Sequence, residues 1–500
     1  MKSGKHIHLI GICGTAMASL AGLLQLKGHR VTGSDQAAYP PMSEMLAGLG
    51  IAVREPFAEE NLEPRPELVV VGNAISRGNA ELEAVLDGKL AFTSSAQVMH
   101  EEFLAGRESL VVAGTHGKTT TTSMLAWIYE VASRGDGRFA PSFLIGGVAE
   151  NFGSSFQLRG GGPFLIEGDE YDTAFFDKGP KFMHYFPDAL ILTHVEFDHA
   201  DIYDDLGAVK TAFKRLVNLV PRRGRIVAYD GAENVRECVS KALCAVEWYG
   251  FGEDSTWRMV GLEHRDGGTE WQLLRAGEPF AALRLPMPGE HNALNATAAA
   301  ALAAGQGVPA AAIVEALATF ESVKRRLEVR AVVDGITIID DFAHHPTAIR
   351  ETLRALRAAY PASRLWAVLE PRSNTLRRNV FERELVESLA VADRVVVAGV
   401  FRQESIPEGE RLHPEAILLG LAEAGREAAL YAHADEIVRR LVPELAEGDV
   451  VAILSNGGFD GIYEKLPEAL RARQVQARDA EVLDVRTTAA ERASGQAEPA

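Results

Sequence analysis

The segment AGTHGKTT, residues 113–120, has the residue types and spacing of a phosphate-binding turn. It follows the apolar run LVVA and precedes a long amphipathic segment, which predicts a turn between a strand and a helix. Backbone N–H groups of such a turn bind phosphate, Lys118 adds a positive charge for the β- and γ-phosphates, and the Thr119 hydroxyl can ligate Mg²⁺. Val112 stands where the usual G-x-x-x-x-G-K-[ST] pattern has its first glycine. We predict that ATP binds this loop, which contains Gly114, Thr115, His116, Gly117, Lys118, Thr119 and Thr120.

Acidic side chains follow two later apolar runs, at the points where strands are predicted to end. Glu167 lies in LIEGDEYD, and HVEFDHAD, residues 194–201, follows the run ALILT. Ligands bind at the carboxyl ends of the strands in an open α/β sheet, so we expect these acids to lie near Lys118 and to offer oxygen ligands to Mg²⁺. The alternative is that some of these acids only cap helix N-termini, namely Asp169, Asp172 or Asp198.

A second glycine-containing loop, HLIGICGTAM, lies near the start of the chain. Gly11 fills the first position of the dinucleotide fingerprint G-x-G-x-x-G, but Cys13 and Ala16 occupy the second and third. Asp35 ends the next predicted strand, near the position where an acid can meet a ribose hydroxyl. Taken alone, the fingerprint suggests a nicotinamide-dependent dehydrogenase, and that hypothesis leaves GTHGKTT unexplained. Cys13 is interpreted as a small apolar filler rather than a nucleophile.

The composition restricts the class of protein. The chain has 500 residues, of which 47% are hydrophobic, and 51 Lys and Arg stand against 69 Asp and Glu, a net charge of −18. This charge disfavours a nucleic-acid partner. The three cysteines are too scattered for a disulfide framework or a zinc site, and no run reaches the roughly 18–20 apolar residues of a membrane span. We expect a cytoplasmic protein that acts on small molecules and contacts neither nucleic acid nor membrane.

The elements that must position these loops repeat along the chain. Apolar strands alternate with amphipathic helices in three successive stretches, which predicts an α/β protein with parallel sheets and crossover helices. Residues 257–288 are predicted to form antiparallel strands, and KRRLEVR, residues 324–330, is predicted to be a connector. The predicted domains are residues 1–108, 109–324 and 325–473, followed by a tail, 474–500, that is predicted to be disordered.

Six motifs, GTHGKTT, EGDEYD, EFDHAD, GEHNALNA, RRLE and DDFAHHPT, occur in the order and approximate spacing of the Mur ligases, and the sequence resembles this family over most of its length. The resemblance implies a three-domain Mur ligase architecture. The N-terminal domain would be a Rossmann-like UDP-binding domain, the central one a P-loop ATPase-like domain, and the C-terminal one a Rossmann-like domain that binds the peptide. It also implies an ATP-dependent ligase of peptidoglycan metabolism that forms an amide through an acyl phosphate and releases ADP and phosphate.

Other motifs narrow the expected reaction. The segments GICGTAM, YPPMS, GNAISRGN, EYDTAFFDK, LEPRSNT and SNGGFDGI most resemble family members that join UDP-N-acetylmuramate to the tripeptide L-alanyl-γ-D-glutamyl-meso-diaminopimelate during murein recycling. The alternative is addition of L-alanine alone, and members with that activity usually carry Ser where Tyr171 stands and Tyr-Gly at positions 342–343. A third hypothesis is a non-catalytic nucleotide-binding module, which would not need acids at successive strand ends.

The resemblance also assigns roles to individual residues. The catalytic residues would be Lys118, Glu167 and His199, and the Mg²⁺ ligands Thr119, Glu167 and His199. Beyond the loop, ATP would meet Asn295, Arg326 and Asp341. The UDP part of the substrate would meet Gly11, Gly14, Thr15 and Asp35. The peptide carboxylates would pair with Arg372 and Arg377. The alternatives are helix capping by Asn295 and purely structural roles for His199 and the two arginines.

Overall fold

The computed structural model describes residues 4–38 and 42–476. The chain divides between Lys324 and Arg325 into two compact units. The last described helix covers residues 462–476, so residues 474–476 of the predicted tail are helical, and residues 477–500 lie outside the described part. Among the described residues, no helix is long and apolar enough to cross a membrane.

The chain begins with a five-stranded parallel sheet in the order β3-β2-β1-β4-β5. Apolar residues fill the central strands and one face of the helices, so the sheet is covered as a parallel sheet requires. Its strands are β1 (His6–Ile10), β2 (Arg30–Ser34), β3 (Val53–Arg54), β4 (Leu68–Val71) and β5 (Phe92–Ser94). The helices are α1 (Thr15–Leu26), α2 (Met42–Gly48), α3 (Ala80–Asp87) and α4 (Ser95–Met99), with a 3₁₀ turn at Glu59–Leu62 and a π turn at His100–Leu104.

A ten-stranded sheet follows, in the order β17-β16-β15-β14-β13-β12-β6-β9-β7-β8. Its strands are β6 (Ser109–Ala113), β7 (Ser142–Ala149), β8 (Ser154–Gln157), β9 (Phe164–Gly168), β12 (Ala189–Leu192), β13 (Arg225–Tyr229), β14 (Ala245–Gly250), β15 (Trp257–Arg265), β16 (Gly268–Arg275) and β17 (Glu278–Leu285). A separate hairpin consists of β10 (Asp172–Ala174) and β11 (Asp177–Pro180). The helices are α5 (Lys118–Ser133), α6 (Leu206–Leu219), α7 (Glu233–Val239), α8 (Glu290–Gly305) and α9 (Ala310–Ala318), with 3₁₀ turns at Gly137–Phe139 and Lys181–His184.

The strands that carry the predicted site lie in the middle of this sheet. Strand β6 pairs in parallel with β9 on one side and with β12 on the other, so the three strands end at the same edge. All five residues of β6 are buried, because the sheet is covered on both faces. Strand β16 pairs antiparallel with both β15 and β17, as predicted. The three strands continue this same sheet through β14.

The second unit holds a six-stranded sheet in the order β18-β19-β23-β20-β21-β22. Its strands are β18 (Glu328–Val333), β19 (Ile336–Asp341), β20 (Leu365–Leu369), β21 (Arg394–Ala398), β22 (Glu427–Tyr431) and β23 (Val450–Leu454). The helices are α10 (Pro346–Ala359), α11 (Glu382–Leu389), α12 (Pro414–Glu423), α13 (Ala434–Leu441) and α14 (462–476), with 3₁₀ turns at Asn379–Phe381, Gln403–Ser405, Glu408–Glu410 and Phe459–Gly461.

The prediction of a connector over residues 324–330 is wrong for residues 328–330, which lie in a strand. Strand β18 begins at Glu328 and pairs antiparallel with β19 at the edge of the sheet. Its residues Val329 and Val332 are exposed, so the sequence lacks the apolar alternation that marks a strand with one buried face. The turn Asp334–Gly335 has positive φ at both residues, which suits a two-residue hairpin.

The first two sheets share a buried interface within the first unit. Ser19 in α1 and Ser155 in β8 place their hydroxyl oxygens 2.7 Å apart. A Cβ atom at Gly22 would lie only 2.2 Å from the ring of Phe156, so α1 approaches β8 as closely as glycine allows. In addition, Phe175 of the β10–β11 hairpin packs against the apolar cluster between the N-terminal sheet and α3. The two sheets are therefore joined by side-chain packing as well as by the chain.

The pairing of Asp340 with Arg325 in the second unit predicts how the stability of the fold depends on pH. Burial raises the pKa of Asp340 to about 6, although the adjacent Arg325 guanidinium, whose Nε lies 3.1 Å from the carboxylate, works against this. The folded chain therefore holds this proton more tightly than the unfolded chain does. The contribution of Asp340 to the free energy of unfolding is fully present at low pH and declines as the pH rises through about 6.

We therefore expect the Tm of the wild type, relative to that of Asp340→Asn, to fall by roughly 2–4 °C between acidic and neutral pH. Thermal denaturation across that range measures this difference. Asp334→Asn is the control, because it is the same substitution at an aspartate of the same unit whose side chain is 46% exposed. A pH-independent difference for Asp340→Asn would contradict the assignment.

Candidate active site

The glycine-rich loop connects the end of β6 to the start of α5. Gly114 has φ +132° and Gly117 has φ +81°, a region that favours glycine. A Cβ atom at Gly114 would lie 2.1 Å from Thr193 Oγ1, and one at Gly117 would lie 2.5 Å from Asn295 Oδ1. The loop thus packs closely against the end of β12 and against α8. Val112, which replaces the first glycine of the motif, is fully buried within β6 and lies outside the loop.

Lys118 is the first residue of α5, and its ammonium group contacts loop carbonyls and one carboxylate. The Nζ atom lies 2.7 Å from Gly114 O and 3.0 and 2.8 Å from the two carboxylate oxygens of Glu170. Burial alone would lower the pKa of Lys118, but the combined effect of the nearby acids, Glu170 first among them, outweighs it and the pKa is raised. Burial alone would raise the pKa of Glu170, but the charge of Lys118 together with the hydrogen bond and charge of His199 outweighs it and the pKa is lowered. The two groups therefore form a charged pair.

The oxygen atoms of Thr119 and Glu167 fit the requirements of a magnesium ion. The Thr119 hydroxyl lies 3.1 Å from one carboxylate oxygen of Glu167, and the Gly146 N–H donates to the other at 2.6 Å. Mg²⁺ binds oxygen at about 2.0–2.1 Å in an octahedron, so neighbouring ligand atoms lie roughly 2.9 Å apart. The pair at Thr119 and Glu167 is close to that spacing, and Gly146 fixes the orientation of the carboxylate.

His199 lies next to Glu170 in a backbone conformation that is uncommon for a non-glycine residue. Its φ is +56°, and its Nε2 atom lies 3.3 Å from Glu170 Oε1. Burial lowers the pKa of His199, but the hydrogen bond and the negative charge of Glu170 outweigh this and raise the pKa to about 9. Strained backbone of this kind persists only where the surroundings hold it, and it is concentrated at functional sites.

The acids near the loop do not cap helices. Asp169 pairs with Lys181 at 2.6 Å and accepts from the Tyr171 N–H, and its pKa is held well below its usual range, because the lysine charges outweigh burial. Asp172 is the first residue of β10, and Asp198 accepts the N–H of His199. No described helix begins at any of the three, so the capping alternative is wrong for them.

The remaining loop residues and Asn295 also lie at this end of the sheet. The Thr115 hydroxyl accepts the Glu196 N–H at 2.9 Å, and His116 Nε2 lies 3.1 Å from a Glu196 carboxylate oxygen. Thr120 is buried in the first turn of α5. Asn295 lies inside α8 and faces Gly117, so it does not cap this helix, whose N-cap is Gly289.

The first glycine loop places its backbone amides at the N-terminus of α1. Gly14 is the N-cap, Thr15 is the first helical residue, and the first turn contains no acid. Gly11 has φ +82°, and Asp35 accepts the Cys13 N–H at 2.9 Å. Burial raises the pKa of the Cys13 thiol to about 11, with a further contribution from Asp35, which agrees with its interpretation as a filler. The arrangement is open to a phosphate at the helix N-terminus.

In the second unit, Asp341 contacts the backbone of Leu327, the residue that follows Arg326. Asp341 accepts hydrogen bonds from the N–H groups of Leu327 and Ala343, at 2.8 and 2.9 Å, and from the Thr352 hydroxyl at 3.1 Å. The Arg326 guanidinium stacks over the Phe342 ring. Asp341 therefore positions the backbone beside Arg326, and direct contacts of either residue with ATP remain predictions.

Arg372 and Arg377 both contact the segment that follows β21. The Arg372 guanidinium lies 3.7 Å from the centroid of Phe401 and 3.2 Å from Glu370 Oε1. Arg377 donates to Asn374 Oδ1 at 2.6 Å and to Ser405 Oγ at 3.0 Å. Within the described residues the two arginines thus share one region, and their binding of peptide carboxylates remains a prediction.

Glu170 was not among the residues predicted for the site, although it lies between two of them. It is 2% exposed and contacts both Lys118 and His199. The available signal was the acidic cluster EGDEYD, in which Glu170 follows Glu167 by three residues. Nothing in that spacing indicates which acid pairs with the lysine and which faces the threonine.

Three stretches of the chain match protein-family descriptions. Residues 6–106 match the catalytic domain of the Mur ligase family, residues 177–303 match the Mur ligase middle domain, and residues 325–457 match the glutamate ligase domain of Mur ligases.

Similar proteins cover nearly the whole chain. An Escherichia coli (strain K12) protein named UDP-N-acetylmuramate--L-alanyl-gamma-D-glutamyl-meso-2,6-diaminoheptandioate ligase is 42% identical over 469 residues, which are 93% of this chain and 98% of that protein. A UDP-N-acetylmuramate--L-alanine ligase from Ralstonia nicotianae is 33% identical over 97% of this chain and 99% of its own length. The crystal structure of a murein peptide ligase from Psychrobacter arcticus is 36% identical, with a TM-score of 0.70, and covers 93% of this chain and 99% of its own.

Proposed function

The chain belongs to the Mur ligase family of ATP-dependent ligases, and from this premise we propose that it joins UDP-N-acetylmuramate to the tripeptide L-alanyl-γ-D-glutamyl-meso-diaminopimelate. The relative named for this tripeptide reaction is more similar to the chain than the relative named for L-alanine. Addition of L-alanine alone is therefore the second candidate. The family match also decides against a dehydrogenase, because the first glycine loop belongs to a ligase domain.

The chemistry requires positive charge at the ATP phosphates. A carboxylate becomes reactive towards an amine when the γ-phosphoryl group of ATP is transferred to it, which gives an acyl phosphate. Transfer concentrates negative charge, so fixed cations and backbone N–H groups stabilise the transition state. The single observation that carries the proposal is the placement of Lys118 at the first turn of α5, directly after a loop whose two glycines have positive φ.

Each residue has a defined part in this scheme. Lys118 neutralises the β- and γ-phosphates, and the loop N–H groups orient them. Thr119 and Glu167 would hold Mg²⁺, which supplies further neutralisation of phosphate charge when it is bound. His199, whose Nε2 lies 3.3 Å from Glu170 Oε1, would be the further Mg²⁺ ligand that the family resemblance implies.

In the N-terminal part of the chain, Gly14 and Thr15 would bind the pyrophosphate of the UDP-sugar and Asp35 its ribose region. Arg372 and Arg377 would pair with peptide carboxylates.

Phosphate release tests this proposal. The full chain is incubated with ATP, Mg²⁺ and UDP-N-acetylmuramate, and either the tripeptide or L-alanine is added. We expect phosphate release and a new UDP-linked product with the tripeptide. Product with L-alanine alone would support the second candidate, and phosphate release without a UDP-linked product from either acceptor would contradict both.

A further inference from the structure

Glu81 carries a buried carboxylate that the scheme above does not use. It lies in the first turn of α3, and its side chain is fully buried. Its Oε2 atom accepts from the Ser34 hydroxyl at 2.5 Å and lies 3.3 Å from His8 Nε2. Its Oε1 atom accepts from the Asn61 side-chain amide at 2.6 Å and from the Ala58 N–H at 3.1 Å. Burial raises the pKa of Glu81, but these four hydrogen bonds outweigh it and lower the pKa, so the group is a carboxylate.

Stability of the fold alone does not account for this carboxylate. None of the four groups that contact Glu81 is a lysine or an arginine. A buried charge is a weak stabiliser, because the loss of hydration opposes the gain from its contacts, and an apolar side chain of similar volume often packs as well. Four hydrogen bonds to one carboxylate do, however, fix the positions of the groups that make them.

One of those groups, Ser34, is the last residue of β2 and holds the first glycine loop through its backbone. The Ser34 carbonyl accepts the N–H groups of Gly11 and Ile12, at 2.9 and 3.0 Å. A Cβ atom at Gly33 would lie 2.5 Å from the Ile12 side chain, so β2 and the turn are in close contact here. Asp35 follows directly, and its carboxylate accepts an N–H group of the same turn. The end of β2 therefore sets the position of both the turn and Asp35.

Asn61 gives a second connection between Glu81 and Asp35. The Asn61 carbonyl accepts a hydrogen bond from the Arg54 guanidinium, and the Arg54 carbonyl accepts the Asp35 N–H at 3.1 Å. Arg54 is the last residue of β3, which pairs with β2. Glu81 thus supports Asp35 through its own strand and through the neighbouring one.

We propose that Glu81 is a positioning residue for the UDP-sugar, because its buried carboxylate fixes the end of β2 and with it the turn of residues 11–14 and the Asp35 carboxylate. Glu81 is too deeply buried to touch the substrate itself. This inference rests on the proposed function, which assigns the UDP part of the substrate to this turn and to Asp35. Loss of the carboxylate should weaken the binding of UDP-N-acetylmuramate but not that of the adenine nucleotide at residues 113–120.

Glu81→Gln tests the inference on the full chain. Glutamine keeps the volume, but its amide N–H groups would face groups that donate to the carboxylate in the wild type. The Kd of UDP-N-acetylmuramate is measured by titration calorimetry with ADP and Mg²⁺ present, and the Kd of ADP is measured separately. We expect the first Kd to rise about tenfold and the second to change by less than about twofold. Ser34→Ala, which removes only the hydroxyl contact, should raise the first Kd by a smaller factor.

Val85→Ala is the matched control for loss of stability. Val85 lies in the same helix, one turn after Glu81, and is fully buried in an apolar cluster. Its truncation should lower Tm without changing either Kd. Thermal denaturation identifies the variants that are folded at the temperature of the titration, and if Glu81→Gln is not among them, Ser34→Ala decides.

The outcomes distinguish this inference from the proposed function. If the wild type binds UDP-N-acetylmuramate and the Kd is unchanged in both Glu81→Gln and Ser34→Ala, the inference is wrong and the function stands. Equal weakening of UDP-N-acetylmuramate and ADP, or the same weakening in Val85→Ala, would also overturn it, since either result indicates a general loss of folded structure. Failure of the wild type to bind UDP-N-acetylmuramate would contradict the proposed function itself.

Discussion

Lys118→Ala should reduce turnover with ATP, UDP-N-acetylmuramate and the tripeptide by at least roughly 100–1,000-fold, the range for loss of a single electrostatic stabiliser. Its ammonium group lies between loop carbonyls and Glu170, and the loop, residues 113–120, contains no other lysine or arginine. The measurement is initial-rate phosphate release at saturating substrate.

The substitution also removes the lysine partner of the buried Glu170 carboxylate, so folding has to be checked separately. Lys118→Arg keeps the charge with a different shape, and it should retain more activity than Lys118→Ala. Lys214→Ala is the control, because Lys214 is 43% exposed and pairs with Glu237 on the surface. Turnover near the wild-type value in Lys118→Ala would remove the loop from the mechanism.

Glu170→Gln should have the second large effect, on stability as well as on rate. The Glu170 side chain is 2% exposed, and removal of one partner from a buried ion pair costs about 3–5 kcal/mol, since the remaining charge is left unpaired. Glutamine has nearly the same volume, but its amide group would direct N–H donors at Lys118 or at His199, which are themselves donors. We expect a lower free energy of unfolding in denaturant and at least about a tenfold loss in kcat.

A matched control exists on the surface of the same unit. Glu237 accepts hydrogen bonds from two lysines, Lys210 and Lys214, each at 2.6 Å, but its side chain is 45% exposed. Glu237→Gln should therefore change stability much less than Glu170→Gln does. The double variant Lys118→Ala with Glu170→Gln completes a cycle with the two single variants, and strictly additive effects of the two substitutions would show that the pair is not coupled.

Much of the fold follows from local patterns in the sequence. Buried parallel strands give continuous apolar runs, as in LVVA and ALIL, and these patterns are confirmed as β6 and β12. Strand β18 was missed because edge strands need not alternate, and Val329 and Val332 face solvent. The Mur ligase architecture is confirmed by the three family matches.

The candidate site was less predictable than the fold. Residue types identify Lys118 and Thr119, because a phosphate loop has a fixed local order. The partner of Lys118 lies 52 residues further along, and only the pairing of β6 with β9 brings the two together. The same holds for Asn295, which meets Gly117 through the packing of α8 against α5. The roles of Asn295, Arg326 and Asp341 in ATP binding stay predictions.

The close fit of Gly22 against Phe156 has a consequence for how such chains can be recombined. At Gly22 the helix α1 meets the strand β8 without space for a single methyl group. Phe175 packs against the apolar cluster of the N-terminal sheet. A chimera that took residues 1–108 from one relative and the remainder from another would inherit two surfaces that had not diverged together. A functional exchange would have to include Ser155, Phe156 and Phe175 together with the N-terminal sheet. The set of residues that must be exchanged together is therefore larger than the sheet itself.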